Sequence, residues 1–253
     1  AAMAQLGFEV VGIDVDASKI ASLQAGQPPI FEPEFESLLR AALGTGRLRF
    51  STDPADIADA DLHFICVGTP QVSGGLAADT KYVFAAIDAI AAHAKPDSIA
   101  IGKSTVPVGT ASKLIARLQE LGRADIELAW NPEFLREGFG VGDTLHPDRI
   151  VIGVAGERAE PVLRAVYQSM LEVGTPFLVT NLETAELVKV AANAFLATKI
   201  SFINAMAEVC ERVGGDVVAL ADAIGHDDRI GRRFLNAGIG LDRKSTRLNS
   251  SHG

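Results

Sequence analysis

The segment from residue 131 to residue 138 carries two carboxylates at a spacing that could place both in one cleft. Asn131 can cap a helix, Pro132 suits the first helical position and Gly138 suits the exit. We therefore predict a short helix on which Glu133 and Glu137, four residues apart, share one face. Helical glutamates are usually solvated, so this pair alone does not establish a site.

A second segment adds a cation and an amide. Lys189 and Asn193 share a helical face by the same spacing, and the apolar residues around them weaken the alternative of an exposed polar face. Hydride or acyl chemistry at a carbon bearing oxygen needs fixed donors for the developing negative charge and an acceptor for the departing proton. The two segments together supply these groups, whereas either alone is weak support.

Asp14 ends an apolar run, Val10-Val-Gly-Ile-Asp14, that is typical of a strand. A carboxylate at a strand end can accept both hydroxyls of an adenosine ribose and repel a 2′-phosphate, which favours NAD over NADP. The alternative is a solvated acid. Lys19, a turn into the next predicted helix, is either near the adenosine or an ordinary surface lysine.

Two further strand ends carry hydroxyl groups and open backbone, the geometry in which a nicotinamide and its ribose can lie against main-chain groups. The candidate contacts are Val67, Gly68, Thr69 and Pro70 after one strand, and Ser104 and Thr105 after another. Turn chemistry alone also explains a glycine and a proline at such positions.

Apolar strand-like runs alternate with helical periods, and the strands are continuously apolar. We predict strands at 8–13, 62–67, 98–101, 126–129, 150–154 and 177–180, and helices from 17 and at 80–94, 109–121 and 157–171. This βαβ order indicates an α/β fold with a doubly wound, Rossmann-like parallel sheet covered on both faces. The ligand of such a sheet lies at the carboxyl ends of its strands.

The pattern then changes to one long helix at 182–213, the start of a central helical domain. Roughly thirty residues span about 45 Å, so we expect this helix to link two domains and to pack on a second copy as a homodimer. The predicted domains are a nucleotide-binding domain at 1–180, a helical dimerisation domain at 181–241 and a non-native tail at 242–253. A flexible native tail is the alternative for the last segment.

Composition limits the partners. The chain has 253 residues, 48% hydrophobic content and a net charge of -9, which argues against a nucleic acid or an anionic membrane as a partner. Cys66 and Cys210 lie in apolar runs, which indicates buried free thiols and a reducing, cytoplasmic compartment. We expect no membrane span, and no cluster with metal-ligand spacing is present in the sequence.

Several ordered motifs resemble the nucleotide-sugar dehydrogenase family. Besides the segments above, they are Phe64-Ile-Cys-Val-Gly-Thr-Pro70, Lys103-Ser-Thr-Val-Pro-Val108, His146-Pro-Asp-Arg149 and Asp228-Arg-Ile-Gly-Arg-Arg-Phe234. The match runs from residue 1 to about residue 240, and among the branches it is most similar to the one that oxidises UDP-glucose. Branches acting on GDP-mannose or UDP-N-acetyl sugars are the alternatives.

The resemblance implies NAD as cofactor, a UDP-sugar as substrate and a role for each candidate residue. Glu133 is expected to be the general base toward water, with Thr105 also bonding that water, while Glu137 faces the cofactor or is structural. Lys189 and Asn193 are expected to stabilise an alkoxide or oxyanion. The expected substrate contacts are Glu133, Phe134, Leu135, Lys189, Asn193, Phe234 and, from the neighbouring subunit, Arg229.

The family pattern also predicts pieces that this sequence does not show. No Gly-x-Gly-x-x-Gly loop is present, so we expect about twenty preceding residues to carry it, and the nucleophilic cysteine of the family falls at Ser245 by register. Ser245 is not a substitute, and we expect the chain as written to be inactive. Rival hypotheses are a non-catalytic dimerising module and a single-step hydroxyacid dehydrogenase.

Overall fold

A computed structural model describes residues 1–72, 74–75 and 77–238 of the chain. The predicted tail at 242–253, Ser245 within it, and the last residues of the predicted 181–241 domain lie outside the described residues. The described chain divides into two compact units. The first comprises the residues up to Leu187 without Gly74 and Gly75, and the second holds those two glycines and the residues from Val188 onward.

The first unit contains two sheets. Their strands are β1 (Val10–Ile13), β2 (Leu48–Ser51), β3 (Leu62–Ile65), β4 (Ile99–Gly102), β5 (Glu127–Trp130), β6 (Ile150–Val154) and β7 (Phe177–Thr180). β1 and β2 pair in parallel, and a five-stranded sheet has the order β3-β4-β5-β6-β7. The predicted Rossmann-like α/β fold is confirmed.

Two strands, β6 and β7, run against the predicted direction. The pairs β3·β4, β4·β5 and β6·β7 are parallel, whereas β6 pairs antiparallel with β5. A parallel neighbour needs a crossover connection of a dozen or more residues, usually through a helix that packs on the sheet. The only helix between β5 and β6 has six residues, Gly140–Leu145, so β6 returns beside β5 in the opposite sense.

Helices cover the sheets. They are α1 (Ala2–Gln5), α2 (Ala17–Gln24), α3 (Phe35–Gly44), α4 (Lys81–His93), α5 (Thr110–Glu120), α6 (Gly140–Leu145), α7 (Ala159–Val166), α8 (Gln168–Glu172), α9 (Leu182–Val213) and α10 (Val217–Gly225), with a 3-10 turn at Pro54–Ile57. The helix predicted at 157–171 is divided at Tyr167 into α7 and α8. α3 and β2 were not predicted.

The central strands are covered on both faces, as their continuous apolar sequence predicts. All four residues of β4 are buried, and Ile99 and Ile101 pack with Ile152, Leu163 and Met170 in the main core. A smaller core joins α3 to β2. The short helix α1 contributes to both, because Met3 and Leu6 pack against the main core while Ala4 belongs to the smaller one.

The second unit is helical. Ile203 of α9, Ala221 of α10 and Leu235 form its core, with Met206 packed against them. α9 has the predicted bounds, and by length and composition alone it is apolar enough to cross a membrane. Its exposed apolar residues include Phe195 and Phe202.

Two local predictions are wrong. Residues 131–136 form no helix, so Glu133 and Glu137 do not share a helical face, and α6 begins only at Gly140. The reason is that Asn131 turns its side chain into the protein interior instead of capping a helix. The two cysteines are free, as predicted, but Cys66 is exposed just beyond the edge strand β3 and Cys210 is half-buried.

Candidate functional site

Asp14 and Lys19 form an ion pair at the carboxyl end of β1. Asp14 Oδ1 also accepts the Asp16 backbone N–H at 3.1 Å, and Asp16 in turn caps α2 through the N–H groups of Ser18 and Lys19. Partial burial opposes ionisation of Asp14, but the hydrogen bonds from Lys19 and Asp16 hold its pKa below the ordinary value. The structure therefore brings the two predicted adenosine residues together as a charged pair on the protein surface.

The loops that follow β3 and β4 are joined by side-chain hydrogen bonds. The buried Ser104 Oγ donates to the Val67 carbonyl at 2.7 Å, and Thr69 Oγ1 donates to the Thr105 carbonyl at 2.7 Å. Gly68 lies between these contacts, exposed and with open space where a Cβ would be, and Pro70 follows. The predicted nicotinamide contacts thus form one continuous edge.

The segment that carries Glu133 is an irregular loop rather than a helix. Its backbone N–H groups are held by carboxylates: Glu133 Oε2 accepts from Leu135 at 2.6 Å, and Glu32 accepts from Gly138 at 3.1 Å and from Gly140 at 2.7 Å. A loop stabilised by such contacts does not need the repeating hydrogen bonds of a helix. Glu133 is half-buried, while Glu137 is exposed.

Two apolar residues of this loop differ in their surroundings. The guanidinium carbon of Arg149 lies over the Phe134 ring, 4.0 Å from the centroid of the ring. Leu135, by contrast, is 46% exposed. A cation over the ring face fixes its orientation. Phe134 is therefore a rigid wall of the loop and Leu135 is an accessible apolar surface.

Three polar residues of this region were missed as site residues. Lys103 and Tyr167 both donate to Asn131 Oδ1. Glu32 accepts the backbone N–H of Gly138, which lies 106 positions later in the sequence. The sequence did carry one signal for the lysine, because Lys103 directly follows four apolar residues of a buried strand. It carried none for Glu32, which lies in an irregular segment far from the loop in sequence.

Lys189 and Asn193 belong to the second unit and lie one turn apart on α9, as their spacing predicts. Lys189 is 8% exposed and Asn193 is half-buried.

Arg229 and Phe234 lie in the segment that follows α10. Lys199 of α9 donates to the carbonyls of Ile230 at 2.9 Å and Gly231 at 3.0 Å, which anchors this segment. The Arg229 side chain is 88% exposed and pairs with Asp227 at 2.6 Å. Phe234 has a left-handed backbone, with φ of 66°. The Arg229 Nε and Nη2 both donate to Asp227, and the remaining edge of the guanidinium can donate to a diphosphate.

The residues present fit an NAD group in part. The Asp14 carboxylate lies at a strand end with 27% of its side chain exposed, and the backbone around Gly68 is open. These features suit a ribose and a nicotinamide, respectively. They lie at the carboxyl ends of β1 and β3, the edge at which doubly wound sheets bind ligands.

Family models agree with this assignment. Residues 1–171 match the NAD binding domain of the UDP-glucose/GDP-mannose dehydrogenase family, and residues 183–246 match the central domain of that family. The cofactor named by the first model is NAD, as the sequence predicted.

Individual relatives point the same way. A UDP-glucose 6-dehydrogenase of Rickettsia typhi is 46% identical over 240 residues, which are 94% of this chain and 55% of the relative. A solved UDP-glucose dehydrogenase of Pyrobaculum islandicum is 43% identical with a TM-score of 0.88, covering 96% of this chain and 56% of that one. A GDP-mannose dehydrogenase of Pseudomonas aeruginosa is 31% identical with a TM-score of 0.84, covering 93% and 56%. The chain spans about half the length of the relatives that it matches. By its fold, its motifs and these matches, the chain belongs to the UDP-glucose/GDP-mannose dehydrogenase family.

Proposed function

We propose that this chain, when extended by the segments that its relatives have beyond it, carries out the NAD-dependent four-electron oxidation of UDP-glucose to UDP-glucuronate. The main support for the proposal is a contact between two segments: the strand ends predicted to hold the nicotinamide, and the loop that carries Glu133, the expected base. Lys103, in the segment after β4, donates to Asn131, the first residue of the loop that holds Glu133, at 3.0 Å. A hydride acceptor and a base for water at neighbouring strand ends suit an oxidation that is completed by hydrolysis.

The residues proposed to bind NAD act at its adenosine end and at its nicotinamide end. When bound, NAD accepts a hydride from the carbon that is oxidised. Asp14 binds the hydroxyls of the adenosine ribose, and Lys19 holds that carboxylate in its ionised form. Val67, Gly68, Thr69, Pro70, Ser104 and Thr105 orient the nicotinamide end through main-chain and hydroxyl groups, and Glu137 faces the cofactor.

The chemical roles fall to four residues. Glu133 removes a proton from the water that hydrolyses the thioester formed on the cysteine that the family pattern predicts, and Thr105 orients that water. Lys189 and Asn193 stabilise negative charge on the substrate oxygen, since an ammonium and an amide donate hydrogen bonds that strengthen as the charge develops. Two hydrides leave the same carbon, and water supplies the second oxygen of the carboxylate.

The remaining candidate residues contact the substrate. Phe134 and Leu135 contact the sugar nucleotide, and Arg229, from the second subunit of a homodimer, binds the diphosphate together with Phe234. UDP-glucose is favoured over GDP-mannose because the UDP-glucose 6-dehydrogenase of Rickettsia typhi is 46% identical, against 31% for the GDP-mannose enzyme. We also propose that the nucleotide-binding domain ends, and the helical dimerisation domain begins, near residue 180.

The test uses an extended chain, in which residues 242–253 are replaced by the cysteine turn expected from the family and the segments that the relatives have beyond this sequence are added. We expect two NADH per UDP-glucose, and UDP-glucuronate as the product. A ratio of one, or turnover only with a hydroxyacid, would favour a single-step dehydrogenase. An extended chain that binds a second copy but never reduces NAD would favour a non-catalytic dimerising module.

We also propose a homodimer through α9. Phe195, Phe202 and Val209 are exposed and recur at a spacing of seven, which places them along one stripe of the helix. Phe195→Ser with Phe202→Ser should convert a dimer to a monomer in sedimentation at micromolar concentration. Val173→Ser, at a residue 76% exposed outside α9, is the matched control and should stay dimeric. An extended chain without substitutions that sediments as a monomer would contradict the proposal.

The proposed location is the cytoplasm, without a membrane or nucleic-acid partner. The net charge of -9 disfavours anionic surfaces, and both cysteines are free. Because α9 is apolar enough to span a membrane, the proposal needs its own test. The extended chain should remain in the supernatant after cell lysis without detergent, and recovery only in the membrane fraction would overturn it.

A further inference from the structure

One buried amide joins four elements of the first unit. The oxygen of Asn131 accepts from Lys103 Nζ at 3.0 Å and from Tyr167 Oη at 2.6 Å, while its nitrogen donates to the Val151 carbonyl at 2.8 Å. Lys103 follows β4, Asn131 follows β5, Val151 lies in β6, and Tyr167 connects α7 with α8. Asn131 is 2% exposed. We call Lys103, Asn131, Tyr167 and Val151 the amide junction.

The antiparallel pairing of β5 and β6 explains why this amide is needed. Ala129 pairs with Val154 and Trp130 with Gly153, and continuing this register places Val151 opposite Pro132. Proline has no N–H to donate. The Asn131 side chain supplies the missing donor, and a buried carbonyl is thereby satisfied.

The three contacts allow only one orientation of the amide. Two donors must face its oxygen and one acceptor must face its nitrogen, so a flipped amide would lose all three hydrogen bonds. The Asn131 backbone is fixed as well, because its N–H donates to the Gly102 carbonyl at 2.8 Å. Both ends of this residue are therefore immobilised at the point where the loop of Glu133 begins.

Stability alone is a poor explanation for the lysine. Burial lowers the pKa of Lys103, although the nearby Cys66 and Glu133 act in the opposite direction. Replacing a buried ion by a well-packed apolar residue is often neutral or stabilising. A lysine here is better explained by its donor, which is directed at the first residue of the functional loop.

We propose that Lys103, together with Tyr167, is a positioning residue for Glu133: it holds Asn131 and so sets the path of the chain that carries the base two residues later. This inference deepens the proposed function and rests on it for the role of Glu133. Lys103 does not touch the substrate and acts through Asn131. The other end of the loop is held separately by Glu32 at Gly138 and Gly140.

The first test measures the loop without any turnover. Amide hydrogen exchange of residues 133–138 is compared in extended chains carrying Lys103→Met, which removes the donor, and Lys103→Gln, which keeps an uncharged donor. We expect exchange about tenfold faster for methionine and an intermediate rate for glutamine. Lys95→Met is the matched control, because the Lys95 ammonium bonds Asp61 and the Asp59 carbonyl and makes no described hydrogen bond to the junction. It should leave the loop unchanged.

Either of two results would overturn the proposal. One is unchanged loop exchange in Lys103→Met, and the other is an equal increase throughout the five-stranded sheet, which indicates general destabilisation. Should Lys103→Met fail to fold, Tyr167→Phe decides the matter, since it removes only one hydroxyl donor from the same oxygen. It should raise exchange of the loop alone, and no rise would count against the junction.

The second test separates kcat from KM. In the extended chain, Lys103→Met should lower kcat at least tenfold while the KM for NAD changes less than twofold, and Lys103→Gln should recover part of the loss. Equal changes in both constants would contradict a positioning role. If no variant and no parent chain oxidises UDP-glucose, the proposed function fails, yet the exchange comparison still decides whether Lys103 positions the loop.

Discussion

Glu186 Oε1 accepts the backbone N–H of Ala111 at 2.7 Å, across 75 positions of sequence. Its second oxygen accepts the N–H of Gly109 at 2.6 Å, and the glutamate is 2% exposed. Gly109 is the residue before α5 and has no side chain to cap that helix. Glu186, near the start of α9, therefore supplies the cap of α5 within the first unit.

Glu186→Ala should destabilise the extended chain by about 2–4 kcal/mol, because it leaves the buried N–H of Ala111 and the half-buried N–H of Gly109 without an acceptor. Glu183→Ala is the matched control: Glu183 is exposed and its carboxylate accepts from Ser112 Oγ at 2.9 Å, so its loss should cost about 0.5 kcal/mol. Urea unfolding followed by circular dichroism measures both. Equal stability of the two variants would show that the cap contributes little.

Gly102→Ala should also destabilise the fold. Gly102 pairs with Trp130 across β4 and β5, and a Cβ at Gly102 would lie 2.1 Å from the buried indole ring. Overpacking of this kind costs about 1–3 kcal/mol. Gly44→Ala is the same substitution at the end of α3, where a Cβ meets nothing within 4 Å, and it should stabilise by about 0.5–1 kcal/mol. The midpoint of urea unfolding should therefore fall in Gly102→Ala and rise in Gly44→Ala, and equal midpoints would contradict the prediction.

His63 should make the protein sensitive to mild acid. Burial, with the positive charges of Lys95 and Arg123, lowers the pKa of His63 from 6.5 to about 4. The folded state therefore disfavours the protonated ring, so the stability contribution is complete above pH 6.5 and is lost as the pH falls toward 4. The loss is at most about 3 kcal/mol.

His63→Leu should flatten that pH dependence, measured as the midpoint of urea unfolding at several values between pH 7.5 and pH 4.5. His93→Leu leaves His63 in place and should keep the slope of the parent. A slope that survives in His63→Leu would assign the acid sensitivity to other groups.

Asp14→Ala should reduce the preference for NAD over NADP about tenfold in the extended chain, since a carboxylate that binds two ribose hydroxyls also repels a phosphate. The measurement is the ratio of kcat/KM for the two cofactors. Asp16→Ala is the control, because Asp16 caps α2 through Ser18 and Lys19. It should lower stability with little effect on the ratio, and an unchanged ratio in Asp14→Ala would remove the ribose assignment.

Glu133→Gln and Lys189→Ala should affect different halves of the reaction. Hydrolysis of an acyl intermediate needs an activated water, so Glu133→Gln in the extended chain should form NADH and accumulate a covalent acyl-enzyme. Lys189→Ala should instead slow the oxidation itself, because the alkoxide loses a donor. Mass spectrometry of quenched enzyme detects the adduct. Acid release at the normal rate by Glu133→Gln would transfer the base role to another residue.

Much of the fold follows from local pattern. β6, β7 and α9 have the bounds predicted from runs of apolar residues and from helical periodicity. The predicted segment at 131–138 failed, although its residues have good propensities for a helix start. Propensity describes only local backbone preferences, and Asn131 found stronger partners in Lys103, Tyr167 and Val151, which come from other elements.

By itself the sequence determined the α/β class, six of the seven described strands in their order along the chain, the long helix and the family, because each depends on residues close together in sequence or on motifs in a fixed order. Only the tertiary structure decided the direction of β6, the amide junction at Asn131 and the capping of α5 by Glu186. These depend on which hydrogen-bonding groups remain unpaired once the strands and helices pack, and that is determined by residues 20 to 77 positions apart.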